Sequence, residues 1–291
     1  GRVCDAYPAA SLLEVAPSGL TGYIDVQRDE VYYEVSAWGP GERRWVIDWG
    51  RVACPSVERL DGAVALGQRV GTPRMSRADA ERFSGVVGEA WAGVASLVSD
   101  RVYPDLATGE AVGVGMWGID SGDRTAEVYH FAARMRGRVV ATKGRSGVYL
   151  GSLYEEKPAD RAMEDGIDEP ISLLHINVKM AKDLCFARLH QVSRGLGAIG
   201  WPDPATCAGD LNGFLRQLSA EHLVTKKARQ EWQLRPGRRD NHWGDCHVGN
   251  YALAVRYGLR EMDSEELAGR GAPVGAVLRT SGLTEGALRA D

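Results

Sequence analysis

Residues 20–26, 31–38 and 43–49 are three strand-like runs joined by nothing longer than a tight turn, so they must pair as an antiparallel meander. The middle run is rich in Val and Tyr. The connection after it, Gly39-Pro40-Gly41-Glu42, is a strong turn signal, and the polar pair Arg28-Asp29 turns the chain before it. Helical periodicity begins only later. From a cap at Ser76 to about residue 98, Phe83, Val86, Val87, Ala90, Trp91, Val94 and Leu97 recur at helical spacing and give one buried face.

Strands and helices then alternate. Residues 111–119 form an apolar run that ends at Asp120, with a helix expected from about Asp123 to Arg134 and a short strand at 139–142. The acidic, proline-flanked stretch 155–170 reads as an exposed loop. A strand is expected at 171–178 and a helix at 180–192. Asp210 is placed to cap a helix carrying Leu211, Phe214, Leu215 and Leu218, and a short strand at 232–234 precedes a last helix running to about residue 259. A three-strand antiparallel start followed by alternating helices and strands is an α/β fold with a mixed sheet. In that order it matches the RNase H-like layout, a mixed sheet flanked by helices. Residues 1–19 read as a linker remnant, 20–259 as the folded body and 260–291 as a tail.

At 291 residues, 44% hydrophobic and 25% charged, the chain is long enough for one generous core. No apolar run reaches membrane-spanning length and no signal peptide is visible, so no membrane role is expected. The chain starts at Gly1 rather than methionine, which reads as a piece of a longer polypeptide. Five cysteines without a CxxC pair suggest reduced thiols rather than a disulfide framework. A net charge of −4 argues against a free-standing tight nucleic-acid binder. Three local basic groups stand against that balance: Arg134, Arg136, Arg138, Lys143 and Arg145; Lys226, Lys227 and Arg229; and Arg235, Arg238 and Arg239. No GxxxxGK[ST] loop and no GxSxG elbow occurs, which removes ATP hydrolysis by a phosphate loop and the common serine hydrolase chemistry.

Three isolated acids fall at telling places. Asp25 interrupts the first strand, Asp120 closes an apolar strand, and Asp245 lies in the first turns of the last helix, which is otherwise small, apolar or aromatic. Singly they read as an edge-strand acid, a turn residue and a helix-dipole acid. Together, delivered by two strands and a helix, they are a donor set for hard divalent cations such as Mg2+ or Mn2+, which prefer oxygen ligands. Two ions about 3.5–4 Å apart serve phosphodiester hydrolysis in such sites. Asp123, Glu127 and Glu221 are possible auxiliary acids, and Lys143 and Arg145 after a strand are candidates for gripping a DNA phosphate. His242 and Cys246 have a spacing compatible with Zn2+, but no second pair completes a tetrahedral set.

These stretches, taken in order, resemble the nuclease portion of the large subunit of lambda-type phage terminases. The likeness is carried by Gly22-Tyr23-Ile24-Asp25-Val26-Gln27, Trp38-Gly39-Pro40-Gly41-Glu42 and Trp45-Val46-Ile47-Asp48. It continues in Gly118-Ile119-Asp120-Ser121-Gly122, Glu127-Val128-Tyr129 and Lys143-Gly144-Arg145, then in His175-Ile176-Asn177-Val178 with Lys182-Asp183. It ends in Gln217-Leu218-Ser219-Ala220-Glu221, Trp232 and residues 241–254. The resemblance implies an RNase H-like endonuclease that cuts concatemeric double-stranded viral DNA with two divalent ions. The metal-binding acids would fall on Asp25, Asp120 and Asp245, with Lys143, Arg145, Arg238 and Arg239 against DNA. It also implies a separate ATPase domain of the full-length protein, the terminase small subunit and the portal or procapsid as partners, and the host bacterial cytoplasm as location. The family usually has Glu where His242 stands. A resolvase-type nuclease of the same fold, or a catalytically inactive DNA-binding or portal-docking module, would share the layout.

Overall fold

The computed structural model describes residues 19–57, 77–105, 109–145, 151–159, 167, 170–189, 197–207, 209–226 and 229–258. The meander is observed as β1 (Gly19–Val26), β2 (Glu30–Gly39) and β3 (Arg43–Ala53), antiparallel throughout. The turn between β2 and β3 is a 3-10 turn in which Gly41 takes φ 70°, a conformation glycine adopts without steric cost. Next come α1 (Arg77–Ala90), α2 (Ala92–Asp100), the small hairpin β4 (Val102–Pro104) and β5 (Ala111–Gly113), then β6 (Met116–Asp120), α3 (Thr125–Arg134) and β7 (Val139–Arg145). The chain continues through β8 (Tyr154–Pro158), β9 (Ser172–Asn177), α4 (Val178–Leu189), β10 (Ile199–Gly200), α5 (Leu211–Leu218), the hairpin β11 (Glu221–Lys226) and β12 (Arg229–Leu234), and α6 (His242–Arg256).

Eight strands form the main sheet in the order β10-β3-β2-β1-β6-β7-β9-β8. β6 runs parallel to β1, and β7 and β9 continue the parallel half. An antiparallel meander with parallel strands added beside its first strand is the RNase H-like arrangement. One face of the sheet packs Ile24, Val35 and Ile119 against α1, α2 and α3. The other packs Tyr23, Val46 and Leu174 against α4, α5 and α6. Alternation along β1 therefore assigns Ile24 to one core, and Tyr23 and Asp25 to the face that α6 covers.

Several expectations needed correction. The helix foreseen up to residue 98 bends at Trp91, which leaves helical geometry at φ −100°, ψ 11°. Its fully buried indole donates to Glu127 Oε2 at 3.0 Å, holding the bend against α3. The expected cap Ser76 lies outside the described residues. The apolar run before Asp120 is two strands: β5 pairs with β4, and only Met116–Asp120 joins the main sheet. The first part of the expected exposed loop is the edge strand β8, paired antiparallel with β9. Its Tyr-Glu-Glu-Lys-Pro sequence lacks apolar alternation because an edge strand faces solvent, and charges and proline there discourage further pairing. Residues 160–166, 168 and 169 of that loop lie outside the described residues, as do the expected linker up to residue 18 and the tail 260–291.

α6 comes unusually close to the sheet. Tyr23 lies between Gly118 of β6 and Gly249 of α6, where an added Cβ would stand 2.7 Å and 2.2 Å from its ring. Replacing Gly249 by alanine should therefore force α6 outward and cost about 2–3 kcal/mol by overpacking. A urea titration reads this as a lowered midpoint; an unchanged midpoint would show that the ring yields instead.

Candidate active site

Asp25 and Asp120 are brought together by the parallel register of two central strands. Ile24 pairs with Ile119, so the next residue on each strand is an acid, at the C-terminal ends of β1 and β6. The third acid arrives on α6. Cys246, one residue after Asp245, donates its S–H to the carbonyl of Tyr32 at 3.4 Å, and Tyr32 is the cross-strand partner of Asp25. That bond seats the first turn of α6 over the Asp25 end of β1.

The electrostatics report the same proximity. Burial pushes the Asp120 carboxyl up to about 6; the Asp25 and Asp245 carboxylates push the same way, while the Gly122 N–H at 3.2 Å and the charge of Lys143 pull it back. Asp245 is likewise raised to about 6, first by the surrounding protein, with Asp25 and Glu221 adding to the rise and Lys182 opposing it. Carboxylates whose repulsion is left unrelieved are unfavourable unless positive charge arrives.

Two basic side chains stand at this cluster, His242 and Lys182. His242 Nδ1 donates to Asp25 Oδ2 at 2.9 Å, and Gln27 Nε2 donates to the same oxygen at 2.8 Å. The bond to Asp25 raises the His242 pKa, against the effect of its own burial. The Tyr32 ring lies against this histidine, centroids 4.5 Å apart. Lys182, 7% exposed, donates to both Glu221 oxygens at 2.8 and 2.6 Å and pairs with Asp245 Oδ1 at 3.2 Å.

The other expected residues sort clearly. Lys143 and Arg145 lie on β7 beside the strand end that carries Asp120, with Thr142 paired to Asp120, and Arg145 Nε donates to His175 Nδ1 at 2.8 Å. Arg238 and Arg239 are exposed in the loop before α6. Asp123 is exposed and accepts from the adjacent Arg124 N–H; Glu127 is buried against Arg124 and Trp91 on the opposite face. Neither belongs to the cluster, whereas Glu221 reaches it through Lys182. The His242–Cys246 pair is no zinc site: the histidine is engaged by Asp25, and the buried thiol by a carbonyl.

Among the described residues, no three acids, histidines or cysteines already converge on one point as a metal cage. The donor chemistry nevertheless fits a hard divalent cation: three carboxylates from three elements, two of them with pKa values raised by burial and then by their acidic neighbours.

Sequence reasoning passed over the side chains that hold α6 in place. Glu34 of β2 is fully buried between Arg44 of β3 and His247 of α6. Arg44 also donates to the His247 carbonyl at 2.9 Å and to Ser36 Oγ at 2.9 Å, while His247 Nδ1 donates to Glu34 Oε2 at 2.9 Å. In the sequence Lys182 stands out only as part of a family-like stretch. Its signal is a charged residue on the buried stripe of α4, among Ala181, Cys185 and Phe186.

Comparison with known proteins adds one family. The sequence matches the terminase large subunit gpA endonuclease domain over residues 11–264. No curated protein matches the chain. Among solved structures, the large terminase nuclease from thermophilic phage G20c is similar over 80% of this chain and 81% of its own length, at 12% identity and a TM-score of 0.37. The yeast mitochondrial Holliday junction resolvase is similar over 85% of this chain and 86% of its own, at 9% identity and a TM-score of 0.31.

Proposed function

The chain belongs to the endonuclease-domain family of gpA-type terminase large subunits, and we propose that it cuts double-stranded DNA by hydrolysis at Asp25, Asp120 and Asp245. The observation that supports this reading is that the register of β1 and β6 and the seating of α6 put Asp25, Asp120 and Asp245 at one end of the sheet, near enough that Asp25 adds to the burial that raises both other carboxyls. These acids would hold two divalent cations, Mg2+ or Mn2+. Bound there, the ions supply the Lewis-acid charge that a phosphodiester needs as negative charge grows on its oxygens.

The chain's own residues prepare that event. Backbone register fixes Asp25 beside Asp120, so neither acid depends on a loop for its position. His242 and Gln27 both bind Asp25 Oδ2 and so set the plane of that carboxylate. Lys143 and Arg145, at the adjoining strand end, are the residues to meet a DNA phosphate, and Arg238 and Arg239 extend positive charge along the approach to α6. Residues 20–259 form the nuclease body in this reading, working in the host bacterial cytoplasm with an ATPase domain, the terminase small subunit and the portal. Among the described residues no helix is long and apolar enough to cross a membrane.

Incubation with supercoiled plasmid tests the proposal. With Mn2+ or Mg2+ the protein should convert it to nicked and then linear DNA, and EDTA should stop the conversion. Intact plasmid with either ion would favour a docking module that keeps the fold without the chemistry.

A further inference from the structure

Lys182 is buried within an acidic cluster, and its surroundings account for all of its hydrogen-bonding capacity. An ammonium group has three donors, and Lys182 Nζ has three carboxylate oxygens within reach: both of Glu221, at 2.8 and 2.6 Å, and Oδ1 of Asp245 at 3.2 Å. Burial works against its charge, and the carboxylates of Asp245 and Glu221 more than offset this. Glu221 is 8% exposed and opens β11. The next residue of α4, Asp183, accepts from Trp232 Nε1 of β12 at 2.7 Å, and Phe186 lies against the same indole. α4 thus grips both strands of the hairpin and, through Lys182, the first turn of α6.

A lysine beside a cation-binding acid carries a cost, since a simple Lys–Asp pair would neutralise the ligand. Glu221 removes that difficulty, because the group of three keeps one net negative charge. Its two-oxygen grip also keeps the ammonium from swinging towards Asp25 and Asp120. Lys182 meets Asp245 at Oδ1, 3.2 Å away. A flexible aspartate repelled by two neighbouring carboxylates would otherwise rotate away from them.

We propose that Lys182 is a positioning residue: clamped by Glu221, it fixes the Asp245 carboxylate in its working orientation. This rests on the nuclease reading above. The test compares plasmid cutting and cation-free thermal midpoints for the parent, Lys182→Met, Lys182→Arg, Glu221→Gln, the Lys182→Met/Glu221→Gln double variant and Asp245→Asn. Lys182→Met should lose about 100-fold in kcat, the scale expected when a reacting group is displaced by an ångström, with KM for DNA nearly unchanged. Its midpoint should fall, because Glu221 is left buried without a counter-charge. In the double variant the midpoint should recover while the rate does not, and Lys182→Arg should restore part of the rate. Parental cutting by the double variant, or a Lys182→Met effect confined to KM, would overturn the proposal. If Asp245→Asn is inert while Lys182→Met cuts like the parent, the positioning role alone fails. If the parent itself does not cut, the nuclease reading fails and takes this role with it.

Discussion

Asparagine at position 120 should abolish cutting while leaving the cation-free protein at least as stable as the parent. Loss of a carboxylate proposed to hold a cation should cost on the order of a thousandfold in rate, the scale of removing a main electrostatic group from a site. Stability should move the other way. The Asp120 carboxyl sits at about 6 in the fold against an ordinary 3.8, so above pH 6 its ionised form is held in the folded state at a cost. An amide of the same shape removes that cost and can still accept the Gly122 N–H. After allowance for solvent screening the gain is on the order of 1 kcal/mol, or a few degrees in melting temperature. It should fade as pH falls from 6 towards 4, where the parent's carboxyl becomes neutral in both states. Calorimetry in EDTA together with a plasmid assay measures both. A variant that melts well below the parent would show that Asp120 serves the fold and not the site.

The second large effect lies at Glu34, away from the acids. Glutamine there would leave the Arg44 guanidinium buried without its counter-charge and would weaken the link to His247. Breaking a buried pair by removing one partner costs about 3–5 kcal/mol, roughly 10 °C in a domain of this size. The pH dependence has a definite sign. Burial alone would raise the Glu34 pKa, but Arg44 and then His247 hold it down at about 2 against an ordinary 4.5. Its contribution is therefore complete above pH 4.5 and drains away as pH falls towards 2. His247, buried with its pKa below 6.5, adds acid sensitivity in the same direction. Unfolding curves should show parent and Glu34→Gln far apart at pH 7 and closer at pH 3. An equal gap at both would mean that Glu34 carries no charge-dependent stability.

These two positions also mark what a reader of the bare sequence could see. Asp120 was visible because an apolar strand ends on it. The meander was visible because Gly39-Pro40-Gly41 punctuates runs of Val and Tyr, and the last helix because small and apolar residues surround one acid. Asp210 caps its helix as its position before an apolar helical run implies, its side chain accepting from Gly213 N. The misses share a physical cause. β8 and β11 are short strands that are largely exposed, and exposed strands need no apolar alternation. Glu34, Arg44 and His247, like Lys182, Glu221 and Asp245, meet across long sequence separations; a buried charge looks like a surface charge until its partner is known. Local traces are left by Glu34, a lone acid inside the apolar run 31–38, and by Lys182, a charge beside Ala181, Cys185 and Phe186.

The placement of the three acids on β1, β6 and α6 also has a consequence in time. Asp245 follows Asp25 by more than two hundred residues, so at roughly 5–20 residues per second it leaves the ribosome about ten to forty seconds later. The meander has everything it needs to pair locally long before then. A nascent chain thus passes through a period in which its sheet is made and two of the acids are in register, yet the third has not been synthesised. Completion of the acid cluster waits for the docking of α6, which makes the arrival of that helix a natural timer on any activity the cluster supports.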